Sequence, residues 1–411
     1  MNGLKRVLAG VLIGLGWTGA AFAADVAVEP GEGGAERLAE ALILAEAGDT
    51  ITLGAGRFDL TDGLSLDVDD VTVRGAGSAA TVLSFKGQTG AGEGLLVTSD
   101  RVVLERFAVE DTRGDGVKAK GSDQITFRDL RVEWTNGPDE KNGAYGVYPV
   151  ESKNVLIERV TVSGASDAGI YVGQSEDIVV RDSRAEYNVA GIEIENSKRA
   201  DVYGNTATRN AGGILVFDLP NLPVQGGRDI RVFDNDVVDN DTANFAPKGN
   251  IVAIVPKGMG IMVMANRNVH VFGNRLSGNG TTHVLIAAYP NEYEDDNYMF
   301  VPRGVFVHDN VYGEGGGEPD GEVGKTISDV SGTPVPDIVW DGVTRIPEWF
   351  TWAAPEDRIY VREAADTSFV DLKMISQLIF PWPTPPDRRI ERHRGSLPEP
   401  APVKLPQDAG S

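Results

Sequence analysis

Hydrophobic and polar positions in the middle of the chain repeat as seven short phrases, each a glycine, an aliphatic residue, a variable position and usually a second aliphatic residue. They are Gly94-Leu95-Leu96-Val97, Gly116-Val117-Lys118-Ala119, Gly146-Val147-Tyr148, Gly169-Ile170-Tyr171-Val172, Gly191-Ile192-Glu193-Ile194, Gly213-Ile214-Leu215-Val216 and Gly260-Ile261-Met262-Val263. Successive glycines lie 22, 30, 23, 22, 22 and 47 residues apart. A period near 22 that lengthens only by added loop predicts a solenoid, each repeat forming one turn of a coil. Within a phrase the period is two. Each phrase therefore predicts a strand whose residues one and three past the glycine face a core, while residues two and four past it face outward.

Polar residues form columns of their own. Ser122, Ser152, Ser175 and Ser197 each follow a glycine by six residues, and the first three precede second strands at Ile125-Thr126-Phe127, Val155-Leu156-Ile157 and Ile178-Val179-Val180. Asn205, Asn235, Asn274 and Asn310 each follow a valine-containing strand, and Asn188, Asn210, Asn240 and Asn279 form another column. Asparagines stacked at a bend can hydrogen-bond the rungs above and below, satisfying backbone groups orphaned where the chain turns. These columns predict architecture rather than chemistry.

The repeats resemble the right-handed parallel β-helix repeat, the coil of the pectate-lyase fold, over roughly residues 30 to 315. Residues 142–196 are similar in particular to secreted β-helix proteins without an assigned activity. The phrases that carry this are Gly143-Ala144-Tyr145-Gly146-Val147-Tyr148-Pro149, Ser166-Asp167-Ala168-Gly169-Ile170-Tyr171-Val172-Gly173-Gln174-Ser175 and Ala190-Gly191-Ile192-Glu193-Ile194-Glu195-Asn196. The resemblance implies an all-β, single-stranded right-handed parallel β-helix, and it leaves activity open, since fold does not imply function.

The first residues combine a basic start (Lys5, Arg6), an apolar run from Val7 to Gly16 and a small-residue exit at Ala21-Phe22-Ala23. This is the pattern of an export leader over residues 1–23, and it predicts a periplasmic or secreted protein. Absence of cysteine rules out disulfides and thiolate metal sites. No other long apolar run occurs, so the cleaved chain is not expected to span a membrane. The formal charge of −23 argues against nonspecific nucleic-acid binding.

The ends read differently from the middle. Leu38, Leu42 and Ala45 recur at helical spacing before Gly48, which predicts an amphipathic helix over Ala35 to Ala47 that covers the open end of the coil. The coil is expected over 24–317. Beyond Gly317 the repeat is lost, and Trp340, Trp349, Trp352 and Trp382 lie in a non-repeating stretch; residues 318–380 read as a cap or strap, and 381–411, rich in proline and charge, as a disordered tail.

Several patterns are set aside. Gly75-Ala76-Gly77 imitates a dinucleotide fingerprint, but Thr81 to Phe85 continues as strand where that motif needs a helix. Acidic groups at Asp234-Asn235-Asp236, Asp239-Asn240-Asp241 and Asp295-Asp296-Asn297 lack EF-hand spacing and read first as solvated turns, with calcium the alternative; no other cofactor is expected. His270 reads as an outward surface residue.

The outward positions of the glycine phrases carry the candidate chemistry. Two past the glycine stand Lys118, Tyr148, Tyr171, Glu193, Leu215, Met262 and, aligning His283 with the glycines, Leu285; four past it stand Lys120, Val150, Gly173, Glu195, Phe217, Met264 and Ala287. At roughly 4.8 Å per rung, Lys118 to Glu193 would span about 14 Å. Tyrosines can stack on sugar faces, Lys118 and Lys120 can meet a carboxylate, and Glu193 can act as an acid or base if burial raises its pKa. Enzymes of the resembled fold commonly place active groups on this strand. The plainer alternative is a wet face of ordinary cross-rung neighbours. The apolar half, Leu215, Phe217, Met262, Met264 and Leu285, is too large to leave in water. It calls for cover by the chain itself (218–227, 242–258 or the tail) or by a partner protein.

Known motifs of the enzyme families are absent. Polygalacturonases carry Gly-His-Gly and Arg-x-Lys, alginate epimerases Asp-Pro-His-Glu, and calcium-dependent pectate lyases an aligned arginine; none occurs here in the outward columns. The reading is a non-enzymatic binding or accessory protein presenting a long face to a polysaccharide or a companion exported protein. The alternative is a polysaccharide lyase or epimerase acting on a uronic-acid polymer.

Overall fold

The computed structural model describes residues 23–90, 92–345, 348, 353–379 and 381–407. All but the last residue of the expected leader, and Trp349 and Trp352, lie outside the described residues.

Each turn contributes three strands in fixed order, as in Tyr145–Val150, Lys153–Glu158 and Thr161–Ser163, after which Ala168–Gly173 begins the next turn. The strands stack into three wholly parallel sheets, numbered 1 to 3 in that order, of 11, 12 and 10 strands among the described residues. Register follows the glycine phrases: Ile170 pairs with Ile192, Ile192 with Ile214, Ile214 with Ile261 and Ile261 with Val284. All five are wholly buried. The 47-residue gap is absorbed by two excursions that leave the coil unbroken, because Lys198 pairs with Arg228 and Gly212 with Met259 across them.

Bends between sheets 2 and 3 need a left-handed residue, which costs little for glycine and is tolerated by aspartate and asparagine. Gly204, Asp234, Gly273 and Asp309 fill that place at φ 65°, 52°, 64° and 56°. The asparagine column follows each of them. Asn235 Oδ1 accepts from Asn205 N and Nδ2, both at 3.0 Å, while its Nδ2 donates to Val202 O at 2.9 Å. Asn188, Asn210, Asn240 and Asn279 form the second ladder. A serine ladder joins Ser122, Ser152, Ser175 and Ser197 through backbone N–H to Oγ bonds of 3.0–3.2 Å.

The N-terminal helix runs Gly34–Ile43, shorter than predicted, with Leu38 and Leu42 buried in the coil's core. Loss of the sequence repeat at Gly317 does not end the coil. Ile338–Trp340 pairs onto Thr282–Ala287, Ile359–Arg362 onto Arg303–His308, and Phe369–Asp371 onto Ile338–Trp340. Backbone pairing needs no glycine or asparagine signature once a rung is there to receive it.

The proline-rich tail is the second correction. Residues 395–407, expected to be disordered, lie along the outer face of sheet 2. There Leu156, Val179, Asp201, Arg231, His270, Phe306 and Tyr360 form one column. Glu399 Oε1 meets Arg231 Nη1 at 2.6 Å, Val403 N donates to Asp201 Oδ2 at 3.0 Å, and Leu405 packs on Leu156 and Val179. An extended proline-rich segment has no internal hydrogen bonds to lose, so a few anchors suffice to order it. His270 does project outward, but it is buried there against Phe306 and His308 instead of lying on the surface. Burial pushes its pKa down to about 4.

Candidate functional site: a tyrosine and carboxyl face on sheet 1

The outward positions form a continuous line across the rungs of sheet 1. Leu96 pairs with Lys118, Lys118 with Tyr148, Tyr171 with Glu193, Glu193 with Leu215, Leu215 with Met262 and Met262 with Leu285. Exposure changes abruptly along it. Lys118 and Tyr148 are half-buried and Lys120 is exposed, whereas Tyr171, Glu193 and Glu195 retain 4 %, 1 % and 6 % exposure.

Segments that leave the coil make the difference. Val252 and Val255 of the excursion at 242–258, Tyr298 of the loop after Ala287, and Ile327 of the helix Gly321–Ser331 form a second apolar core over Leu215, Phe217, Met262, Met264 and Leu285. These five are therefore covered by the chain itself, one of the two covers the sequence calls for, and are not an open surface for a partner. The chain buries them itself, because so large an apolar stripe gains more from cover than the excursions lose in freedom. Asn250 Nδ2 reaches down from the same excursion to Asp167 Oδ2 at 3.2 Å.

Where the cover begins, three tyrosines meet. Tyr145 lies 4.5 Å from Tyr148 and 4.3 Å from Tyr171 between ring centroids, and Tyr148 and Tyr171 stand edge to face at 5.0 Å. Lys118 Nζ sits 4.7 Å above the Tyr148 ring and 3.3 Å from Asp115. Gly173 makes room for Tyr171: a Cβ there would stand 2.4 Å from the ring. The ring crosses that gap, and its hydroxyl donates to Glu195 Oε1 at 2.6 Å.

Behind the tyrosines lies a group of buried acids. No N–H or O–H among the described residues donates to either oxygen of Glu193. Burial, then the charges of Asp167 and Glu195, raise its pKa well above the ordinary carboxylate range. Enclosed beside two other carboxyls, it favours its neutral form. Burial likewise pushes Asp167 and Glu195 up to about 7, and Tyr148 to about 12.

A family model described as the right handed beta helix region matches residues 68–228. With three parallel sheets wound in register, that match settles the architecture. The chain is a right-handed parallel β-helix protein. Among solved structures it is similar to the A-module of the Azotobacter vinelandii mannuronan C-5 epimerase AlgE4, at TM-score 0.51 and 13% identity over 83% of this chain and 94% of that one. The alginate lyase of Paenibacillus sp. str. FPU-7 follows at TM-score 0.49 and 16% identity, over 72% of this chain and 98% of that one. The family 28 exopolygalacturonase of Yersinia enterocolitica gives TM-score 0.45 and 9% identity, over 85% and 70%. At such identities the likeness is one of fold. No curated protein matches the chain in sequence.

In this β-helix protein the groups able to exchange protons near neutral pH are the ones that are covered, while Lys118, Lys120 and Tyr148 can be reached from solvent. Two members of the cluster, Tyr145 and Asp167, were absent from the predicted columns. Strict alternation carries the residue before each glycine inward. Gly146, however, points to the interior, where a Cβ would stand 2.2 Å from Val162, and Val147 is also inside. Two successive inward positions reverse the phase and bring Tyr145 out. The tight Gly146 site was the available signal. Among the described residues no group of three or more histidine or carboxylate side chains is placed to hold a metal ion, and no helix is long and apolar enough to cross a membrane.

Gly173→Ala tests how tightly the cluster is built. The new methyl should displace the Tyr171 ring, break its bond to Glu195 and cost about 1–3 kcal/mol in urea denaturation. Adding Tyr171→Ala should remove most of the further loss caused by the methyl. Equal costs of Gly173→Ala with and without Tyr171 would mean that the ring does not depend on that gap.

Proposed function

We propose that this is an exported, carbohydrate-binding β-helix protein that seats a polysaccharide on the open stretch of the sheet 1 face, against Lys118, Lys120 and Tyr148. Export rests on the leader pattern of residues 1–23. The observation that carries the binding reading is the step in exposure: a lysine and a tyrosine face stand open where the cover ends, and the acids beyond them are sealed. Tyr148 supplies an amphipathic ring for a sugar face and Lys118 a charge at its edge. Tyr171, Glu193 and Glu195 then act from beneath by holding the tyrosine cluster in place. The alginate lyase, the mannuronan epimerase and the exopolygalacturonase named above act on such polymers, which is in keeping with a glycan ligand.

A second reading has its own support. Asp167 and Glu195 are pushed up to about 7, and acids near neutral pKa suit general acid–base work. Movement of residues 242–258 would open them to a uronic-acid polymer, giving a lyase or epimerase.

Thermal unfolding of residues 24–411 against neutral and uronic-acid polysaccharides separates these readings. A ligand at 100 times its Kd should stabilise by about 2.7 kcal/mol, and Tyr148→Ala should remove the shift. A flat panel sinks the binding reading. Product formation that Glu193→Gln abolishes, with the thermal shift retained, would establish the enzyme instead.

A further inference from the structure

Charges on the outside of sheet 2 normally alternate in sign from rung to rung. Arg74, Glu105, Arg128, Glu158 and Arg181 follow one another in one column. Contacts of 2.5 Å join Arg74 to Glu105 and Arg128 to Glu158, and Arg181 meets Glu158 at 2.8 Å. The column at the start of the same strands departs from this pattern. Lys198 pairs with Arg228, Arg228 with Arg267, and Arg267 with Arg303, four cations on consecutive rungs of an acidic protein. Like charges directly opposite each other on neighbouring strands are destabilising.

Their counter-charges are held at arm's length. Lys198 stands 3.5 Å from Glu176, Arg228 3.5 Å from Asp229 and Arg267 3.5 Å from Asp357, which is also 3.7 Å from Arg345. Arg303 Nε is buried with no hydrogen-bond partner among the described residues. A cleft of about 170 Å³ opens beside these arginines, lined by Arg228, Arg267, Arg303, Asp218, Gln225 and Tyr298. The acid in it is already engaged, since Asp218 Oδ1 accepts from Gly226 N and Gly227 N at 3.1 and 2.9 Å. Tyr298 is buried and donates its hydroxyl to Asp218 O, so it offers no free ring to a nucleic-acid base.

Guanidinium groups present planar forks of donors that match carboxylates. A row of them at one-rung intervals, with donors to spare and a cleft alongside, suits an extended ligand carrying an anion on successive units. We propose that Arg228, Arg267 and Arg303, with Lys198 at the end of the row, form a binding site for the carboxylates of a linear acidic oligosaccharide. The site lies on the outside of sheet 2, apart from the tyrosine face of sheet 1, and does not depend on the reading of that face.

Calorimetric titration of the full chain with tetragalacturonate, galacturonate, a carboxyl-reduced tetramer and sodium sulfate, at matched ionic strength, tests this. The tetramer should bind at least tenfold more tightly than the monomer or sulfate, and the reduced tetramer should not bind. Arg267→Gln and Arg303→Gln should each weaken the tetramer at least tenfold, whereas Arg74→Gln leaves this binding unchanged. Arg267 is 44% exposed, so its substitution leaves the fold intact and keeps the test decisive if Arg303→Gln does not fold. Tetramer and sulfate binding alike, no binding by the tetramer, or undiminished binding by Arg267→Gln would each overturn the proposal.

Discussion

Replacing Asn235 by alanine should cost the coil about 2–5 kcal/mol, with the urea midpoint falling sharply and the transition broadening. The side chain is wholly enclosed in a ladder, accepting from Asn205 N and Nδ2, donating to Val202 O and donating to Asn274 Oδ1 at 2.9 Å. Alanine removes all four bonds and supplies nothing in return. Each buried group left without a partner costs about 1–3 kcal/mol, and Asn205 N and Val202 O are the two that lose a partner from this side chain outright. Because a solenoid is held by nearest-neighbour interfaces, weakening one rung also uncouples the turns on either side. Asp236→Ala, one residue along, is the control. Its ion pair with Arg275 is about half exposed at both ends, so its loss should cost under about 1 kcal/mol. Equal costs at the two positions would show that the ladder does not hold the bend.

Glu193→Gln combined with Glu195→Gln should stabilise the protein relative to the natural chain at pH 8, while changing it little at pH 5. The carboxyls of Glu193, Glu195 and Asp167 all have folded pKa values raised above their unfolded ones. Between the two values the folded chain holds more protons than the unfolded chain, so stability falls as pH rises and levels off above the folded pKa. For Glu195 the rise from 4.5 to about 7, at about 1.4 kcal/mol per pH unit, amounts to about 3 kcal/mol. Desolvation also pushes Asp341 up to about 7, which keeps part of the slope in the variant. His270 works in the opposite sense. Its folded pKa is lowered to about 4, so its contribution is lost as pH falls from 6.5 towards 4. Comparing variant and natural chain at each pH cancels His270. Urea denaturation at pH 5 and pH 8 gives the difference directly, and an unchanged difference would mean that the folded pKa values of the pair are not raised.

Much of this behaviour was legible in the sequence because a solenoid writes its geometry repeatedly. Ile170, Ile192, Ile214 and Ile261 are inside because alternation after a glycine puts them there, and the asparagine columns bond as their spacing requires. Legibility failed where the pattern was broken locally or where distant segments met. Tyr145 was missed at the phase reversal beside Gly146. Residues 395–407 looked disordered because composition does not register that Glu399 and Leu405 each have a waiting partner on sheet 2.

By itself, therefore, the sequence determined the coil within its repeats, its register and, away from the phase reversal at Gly146, which side chains face in or out, since these depend on neighbours one period away. The tertiary structure alone decided which outward side chains are covered. Burial of Glu193, Leu215, Met262 and His270 depends on where residues 242–258, the loop after Ala287 and the tail come to rest. Those contacts join residues tens to hundreds of positions apart and follow no period. The same outward position is an exposed lysine at Lys120 and a buried acid pushed up to about 7 at Glu195, because cover, and with it the local dielectric, is set by the segments above the rung rather than by the rung itself.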